Sequence, residues 1–288
     1  MTTPDTVGVP RPDTIEVPRK RAGERIRSIG RGVRTPLQQA GEMAELLGRV
    51  VYSAVRHPVG YWGDVRDQLF EVLKLCWFPM AVACVAFGFG APGLQAGNLF
   101  ILFGIPERLG SFFVMASVRE FAPWINAMVV AGVVGTAMTA DLGARRIREE
   151  IDAMEVLGID PVRALILPRI IAVTIMTGLM DLIALSFGVL GGYLAAIQLD
   201  AGSAAFQQNF FSNATTIDLW GSVLKTTLFG LIIGVVCCYK GFRAQGGPAG
   251  VGRAVNQAVV IAFAAIWSFN FVFTTILLGL YPEIQVYR

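Results

Sequence analysis

The sequence predicts an all-α membrane protein with one amphipathic interfacial helix and five transmembrane helices. Of its 288 residues, 54% are hydrophobic and only 16% are charged, with a mean hydropathy of +0.58. A soluble domain carries about 25% charged residues, so this chain lacks the polar surface for a soluble particle of its size. The composition excludes a soluble enzyme, a nucleic-acid-binding module and a disordered chain.

The amino-terminal part divides into a tail and an amphipathic segment. Residues 1–36 are rich in proline and arginine, which predicts a disordered, basic cytoplasmic tail. No apolar stretch follows at once, so this is not a secretory signal, and its acidic residues disfavour a transit peptide. Apolar residues recur at helical spacing over 37–56, and we expect residues 37–74 to form interfacial amphipathic helices. Packing on another subunit is the alternative for this face.

Uncharged runs define a transmembrane domain over residues 75–282, because a span needs about 20 mostly apolar residues. Prolines and glycines crowd Pro92–Gly110, which predicts an irregular segment, re-entrant or extracytoplasmic, with a further half-span near Leu109–Val118. The five predicted spans are Leu75–Ala91, Phe121–Ala140, Ile170–Leu199, Leu219–Tyr239 and Ala254–Tyr281.

The distribution of basic residues predicts the orientation. Of the 24 lysines and arginines, 20 lie in residues 1–74, 141–169 and 240–253. Loops rich in these residues stay in the cytoplasm. We therefore expect a multi-pass protein of the plasma (inner) membrane with a cytoplasmic amino terminus and an extracytoplasmic carboxyl terminus.

The segment between the second and third spans, residues 141–169, is unusually elaborate for a connection. Three possible i,i+4 ion pairs, Arg145 with Glu149, Arg146 with Glu150 and Arg148 with Asp152, predict an exposed helix through these residues. Its apolar side includes Leu142 and Ile151. Gly158 suits a helix end, and Asp160-Pro161 suits the start of the next helix. A solvated connecting loop is the alternative, but an apolar face outside the membrane favours docking of another protein.

Four ionisable residues fall at or near membrane depth: Arg119, Glu120, Asp181 and Lys225. Charges in lipid are costly unless they are paired or face a wet cavity, so each is a candidate site residue. An ion pair between Asp181 and Lys225 is equally consistent with the sequence, and a protonated Asp181 is a further alternative. Arg119, expected at the outer edge of the second span, is the better candidate for holding an anionic lipid head group.

Other patterns set limits on function. Small residues recur every three or four positions, as at Gly188, Gly191 and Gly192, which indicates close helix packing or a dimer face. Gly246–Gly252 lacks the lysine and hydroxyl residue of a phosphate-binding loop. One histidine and four cysteines in apolar settings indicate neither a metal site nor a disulfide framework. No catalytic set is present, so any ATP hydrolysis must come from a separate polypeptide.

The stretch Arg119–Arg169, containing REFAPWINAMVVAGVVGTAMTADLGARRIREEIDAMEVLGIDP, resembles the core of the MlaE/YrbE permeases of lipid ABC transporters. The resemblance extends over about Leu69–Gly279. The sequence of the segment ADLGARRIREEIDAMEVLGIDP is most similar to the A-type permeases of actinobacterial Mce systems. The chain departs from the family's Arg-Glu-x-Gly-Pro motif at Ala122. It departs again at Val133, where many relatives have arginine.

The resemblance implies a coupling helix within residues 141–169 that rests on a cytoplasmic ABC ATPase dimer, which binds the ATP and Mg²⁺. It further implies a B-type sibling permease, a hexamer of MCE-domain proteins, and a lipid pocket at Arg119 and Glu120. No cofactor is expected in this chain. The residues implied in coupling are Arg145, Arg148, Glu149, Glu150, Asp152, Glu155 and Asp160.

The function implied is import of a fatty acid, mycolic acid or sterol delivered by MCE proteins, by a permease subunit that is not itself an enzyme. A phospholipid permease of the MlaE kind is the first alternative. An ATP-independent lipid channel is the second, and the absence of a convincing internal repeat in the sequence disfavours it.

Overall fold

The protein, seen in a computed structural model, is described over residues 22–56 and 58–282, with side chains from residue 37 onward. It divides into two compact units, residues 1–44 and 45–288, and all contacts discussed below lie within the second. Over the described ranges the regular structure is entirely helical. Five helical stretches are long and apolar enough to cross a membrane, which confirms the predicted fold class and number of spans. Spans 1 to 5 are Trp62–Leu102, Pro106–Ile147, Val162–Gln198, Thr216–Phe242 and Gly247–Leu280.

Each span is built from one or more helices. Short π-helical turns connect the α-helices of the first two spans at Phe89–Gln95, Val114–Phe121 and Ala131–Gly135. A further π-helical turn, Val162–Ile166, opens span 3, and a 3₁₀ turn, Pro106–Arg108, opens span 2. The α-helices are α1 Ala22–Arg56, α2 Trp62–Gly88, α3 Ala96–Leu102, α4 Leu109–Phe113, α5 Ala122–Val130, α6 Thr136–Ile147, α7 Glu150–Val156, α8 Leu167–Gln198, α9 Ser203–Asn213, α10 Thr216–Phe242 and α11 Gly247–Leu280.

Helix α1 begins earlier than the sequence predicts. It starts at Ala22 rather than Leu37, because the stretch before Pro36 contains no proline back to Pro18 and its arginines are good helix formers. The remainder of the predicted disordered tail, residues 1–21, lies outside the described residues. Helix α1 ends at Arg56, as the following His57-Pro58 predicts. In its last turns Val50 is buried, whereas Val51 and Val55 are exposed.

Helix α2 runs without interruption from Trp62 to Gly88, so the end of the predicted interfacial segment, residues 62–74, and most of the predicted first span share one helix. The predicted irregular segment Pro92–Gly110 is mostly helical, because the chain passes Pro92 in a π-helical turn and continues into α3. A wider turn accommodates the missing amide hydrogen bond of proline, and a helix in lipid must satisfy its backbone internally. The predicted half-span near Leu109–Val118 is the first part of span 2.

Span 3 lies at the centre of the bundle, where α8 packs closely on α2 and α10. A Cβ atom added at Gly191 would lie 2.4 Å from the carbonyl oxygen of Val85, and one at Gly88 would lie 2.4 Å from that of Gly188. These glycines therefore serve internal packing, as close backbone approach requires. Gly132, by contrast, has no neighbour within 4 Å of such an atom, so its face of span 2 is open.

Candidate functional site

A group of buried and half-buried polar side chains lies between spans 2, 4 and 5, and we call it the polar cluster. Its first two members, Arg119 and Glu120, are in the π-helical turn Val114–Phe121. Arg119 lies 13 residues after Pro106, the start of span 2, or about 20 Å along the helix axis. The helical stretch that contains Arg119 therefore begins earlier than the predicted span Phe121–Ala140, and the position of Arg119 at the outer edge of the membrane stays a prediction. The polar cluster consists of Arg119, Glu120, Asp218, Lys225, Asn270 and Thr274.

Arg119 is paired with a carboxylate that the sequence analysis did not single out. Its Nε donates a hydrogen bond to Oδ1 of Asp218 at 2.7 Å, and the two side chains are 11% and 1% exposed. Asp218 is positioned by the start of α10, where its Oδ2 accepts from the backbone N and the Oγ1 of Thr215. This reciprocal capping box fixes Asp218. One carboxylate thus holds both a helix end and a buried guanidinium.

Glu120 and Lys225 form the second half of the polar cluster. Nζ of Lys225 lies 3.7 Å from Oε1 of Glu120 and donates to the backbone oxygen of Arg119. Glu120 also accepts hydrogen bonds from Asn270 Nδ2 at 2.9 Å and from Thr274 Oγ1 at 3.0 Å. Span 5 is therefore joined to spans 2 and 4 by polar contacts, which offset the desolvation of these groups.

Asp181 stands beside the polar cluster with a different partner from the one considered in the sequence analysis. Its Oδ2 accepts a hydrogen bond from Ser222 Oγ at 2.7 Å. The carboxylate that lies within ion-pair distance of Lys225 is Glu120. Asp181 is fully buried, so Ser222 supplies part of the hydrogen bonding that its burial requires.

The polar cluster is balanced in formal charge, with two cations and two carboxylates, and it retains spare donors. Arg119 uses Nε for Asp218, and within the described part of the chain its Nη1 and Nη2 have no hydrogen-bond partner. A planar guanidinium with free terminal nitrogens is suited to bind a carboxylate or phosphate. Across residues 22–56 and 58–282, no three His, Cys, Asp or Glu side chains converge as metal ligands.

Sequence reasoning missed Asp218, Asn270 and Thr274, which are far from Arg119 along the chain. One local signal was available for Asp218, since Thr215 followed three residues later by an acidic residue is the pattern of a capping box. Nothing in the sequence connects Asn270 or Thr274 with Glu120.

The 141–169 segment forms a hairpin at one end of the bundle. Helix α6 ends at Ile147, and the predicted continuous helix breaks at Glu149, which adopts a left-handed conformation with φ of 61°. The predicted i,i+4 pairs of Glu149, Glu150 and Asp152 therefore do not form. Gly158 has φ of 76°, as expected for a helix end. Asp160 Oδ1 accepts from Val162 N at 2.9 Å and caps the following turn.

The break at Glu149 brings a different set of ion pairs together. Arg148 contacts Glu150 at 2.8 Å, Arg145 lies 3.8 Å from Glu150, and Arg146 contacts Asp152. Because all of these side chains are at least partly exposed to solvent, each pair contributes little to stability by itself. Together they define the shape of the corner between α6 and α7.

Asp141 connects the two ends of the hairpin. It accepts from Arg145 within α6 and from Arg169 at the start of α8. Arg169 is 10% exposed, so this contact is among the better shielded of the segment. Asp141 therefore joins the end of span 2 to the start of span 3.

The tip of the hairpin exposes apolar side chains. Ile151 is fully buried, whereas Val156 is 88% exposed and Leu157 is 75% exposed. Glu155 and Asp160 are also exposed. Sequence reasoning identified the acidic residues here but not Val156 and Leu157, which interrupt the apolar periodicity. The tip combines exposed apolar and acidic groups on a fixed backbone.

A bundle of five membrane-length helices, with a charge cluster between three of them and a hairpin between spans 2 and 3, indicates a multi-pass membrane protein. The profile of the permease MlaE family matches residues 65–276. The chain belongs to this family and is a membrane ABC transporter permease.

Relatives from distant organisms support this assignment. A "probable ABC transporter permease protein" of Rickettsia prowazekii is 35% identical over 225 residues, covering 78% of this chain and 86% of that protein. A protein of the same description from Synechocystis is 33% identical, covering 67% and 74%. The chloroplastic protein TRIGALACTOSYLDIACYLGLYCEROL 1 of Arabidopsis thaliana is 28% identical, covering 86% and 68%.

Proposed function

We propose that this chain is the permease subunit of an ATP-driven, Mce-type lipid transporter that imports lipids delivered by MCE-domain proteins. In this proposal a separate ATPase dimer binds and hydrolyses ATP, and a B-type sibling completes the membrane domain. The family match supports a lipid cargo, and one relative carries the name of a glycerolipid. The distribution of lysine and arginine supports a cytoplasmic amino terminus and a cytoplasmic 141–169 segment.

The observation that carries the proposal is the construction of the 141–169 segment. Its tip exposes Val156 and Leu157 on a hairpin whose ends are joined by Asp141. Exposed apolar groups at a fixed position are typical of a protein interface. An ATPase that closes on this tip would push α6 and α8 through the contact of Asp141 with Arg169. The push would change the populations of two states of the membrane domain.

Arg119 supports a cargo with an anionic group. Its unpartnered terminal nitrogens would bind a carboxylate or phosphate, while the apolar body of the lipid would be held by burial, at about 25 cal/mol per Å². A fatty acid, a mycolic acid or an anionic phospholipid fits this chemistry better than a sterol does. The phospholipid alternative therefore stays open, with the same site residues.

The docking step is tested with Glu155→Lys combined with Leu157→Ser, because both side chains are exposed and neither shapes the corner. We expect the amount of ATPase that copurifies with the permease to fall at least about tenfold, equivalent to about 1.4 kcal/mol. Glu107→Lys, an exposed charge reversal at the other end of span 2, is the matched control. Normal ATPase recovery and lipid-stimulated hydrolysis in the double variant would contradict the proposal.

The orientation is tested by cysteine labelling, which the chain suits well because its four cysteines are all buried. Val156→Cys should react with a membrane-impermeant maleimide only after the cells are permeabilised. Glu107→Cys should react in intact cells. The reverse pattern would place the hairpin outside the cell and exclude contact with a cytoplasmic ATPase.

A further inference from the structure

A groove lies between the last turns of α1 and the start of span 3, at the hairpin end of the bundle. It has a volume of about 390 Å³ and its polar lining is dominated by arginine. We call it the arginine groove. Its polar lining comprises Arg49, Tyr52, Ser53, Arg56, Asp160 and Arg163.

The arginine groove has an excess of positive charge. Arg49 is compensated by Glu45, whose Oε1 lies 2.6 Å from it. Arg56 donates to the Tyr52 hydroxyl at 3.0 Å, and Arg163 donates to the Val59 carbonyl at 3.4 Å. Among the side chains that the structure describes, no carboxylate forms an ion pair with Arg56 or Arg163. Two guanidinium groups therefore face one shared space without a counterion.

Asp160, the one carboxylate that lines the arginine groove, has another function. Its Oδ1 caps the turn at Val162, and no ion pair with Arg56 or Arg163 is formed. The groove thus keeps a net positive charge even with Asp160 ionised. An anion between the two arginines would lower the repulsion between them.

The surroundings of the arginine groove indicate the depth of the membrane interface. Tyr61 and Trp62 stack 5.4 Å apart at the start of span 1, and Trp62 is 54% exposed. Val55 and Val59 beside it are exposed apolar residues. Tryptophan and tyrosine favour the level of the lipid head groups. Because span 1 starts at Trp62 and span 3 starts at Val162, the groove opens where lipid phosphates lie.

We propose that the arginine groove binds the phosphate of an anionic membrane phospholipid, with Arg56 and Arg163 as its ligands. The planar guanidinium group of arginine matches phosphate oxygens in geometry and charge. Basic pockets at the ends of transmembrane helices are typical sites for lipid head groups. The volume is sufficient for a head group. This site differs from the polar cluster in residues and in position. The proposal requires only that the bundle spans a membrane. The bound lipid would connect α1 to the start of span 3.

The test measures binding of three probes to the full chain in nonionic detergent, from the shift of its thermal unfolding midpoint with concentration. The probes are dioctanoyl phosphatidylglycerol, dioctanoyl phosphatidylcholine and inorganic phosphate. We expect the phosphatidylglycerol to bind at least about tenfold more tightly than the phosphatidylcholine, because only the former has a net negative charge. Arg56→Gln with Arg163→Gln should weaken binding of phosphatidylglycerol about thirtyfold, since each arginine near the surface contributes about fivefold.

Two variants serve as controls. Arg66→Gln with Arg253→Gln removes the same charge from exposed positions outside the groove and should leave the preference unchanged. Asp160→Asn keeps an acceptor for the cap, because asparagine and aspartate are equally good at that position. It removes the negative charge and should tighten binding of phosphatidylglycerol severalfold. Misfolding cannot produce such a gain, so this variant tests the proposal even if the arginine double variant is unstable.

Each alternative gives a distinct result that overturns the proposal. Equal weakening in both double variants would indicate diffuse surface attraction. Equal protection by inorganic phosphate would indicate a site for a free anion. Unchanged lipid binding together with loss of the ATPase from the purified complex would identify the arginine groove as a protein-docking surface. Because Arg119 is intact in all of these variants, failure here leaves the proposed substrate site untouched.

Discussion

Replacing Asp218 by asparagine separates the two tasks of this buried carboxylate. Asparagine retains an oxygen that accepts from the backbone of Thr215, so the cap at the start of α10 is preserved. It removes the negative charge 2.7 Å from Arg119 Nε. Breaking a buried pair by removing one partner costs about 3–5 kcal/mol. Because the Arg119 side chain retains 11% exposure, we expect a loss near the lower limit, about 3 kcal/mol.

The comparison variant is Thr215→Ala, which removes only the hydroxyl of the capping box and should cost about 1 kcal/mol. The free energy of unfolding is measured by titrating the purified protein with sodium dodecyl sulfate in mixed micelles. Arg119→Met combined with Asp218→Asn completes a double-mutant cycle, in which neither charge remains buried. The double variant should be at least about 2 kcal/mol more stable than the sum of the single losses predicts.

Two results would refute this reasoning. Additive losses in the cycle would mean that Arg119 and Asp218 do not interact in the protein. A loss for Thr215→Ala as large as that for Asp218→Asn would mean that the cap, rather than the ion pair, is the main contribution of Asp218.

Two further variants probe the bundle with the same unfolding assay. Gly191→Ala should lower the free energy of unfolding by at least about 1–3 kcal/mol, because its Cβ would meet the Val85 carbonyl oxygen. Gly132→Ala is the control and should cause no loss, because the space around it is open. Equal losses in the two variants would contradict the packing of α8 on α2. Lys225→Met should lower the free energy of unfolding less than Asp218→Asn does, since Glu120 is 39% exposed and keeps two hydrogen bonds. Adding Glu120→Gln should restore part of the lost stability, because no unpaired charge then remains. A double variant no more stable than Lys225→Met would contradict the ion pair.

The architecture could be predicted from the sequence because it follows from local composition. Length and hydropathy are sufficient to count the spans, and Gly158 with Asp160-Pro161 marks the corner of the 141–169 segment. The error at Pro92 arose because proline reads as a helix breaker in water, whereas a π-helical turn retains it within span 1. The same error displaced the predicted start of the second helical stretch, which begins at Pro106 rather than at Phe121.

The partners of the candidate site residues could not be predicted, because they depend on packing between distant parts of the chain. Lys225 is closer in sequence to Asp181 than to Glu120, yet it pairs with Glu120. The break at Glu149 was equally hidden, since helix propensity and i,i+4 spacing both favoured a continuous helix there. In each case tertiary contacts select among locally acceptable alternatives.

The π-helical turn Ala131–Gly135 lies in span 2 between Arg119 and Asp141. Such a turn contains one residue more than the α-helix around it, and each residue advances an α-helix by about 100°. Deleting a single amino acid there would rotate everything beyond it by about a quarter of a circle, turning Asp141 away from Arg169. The relative orientation of Arg119 and Asp141 around the axis of span 2 therefore depends on one inserted residue.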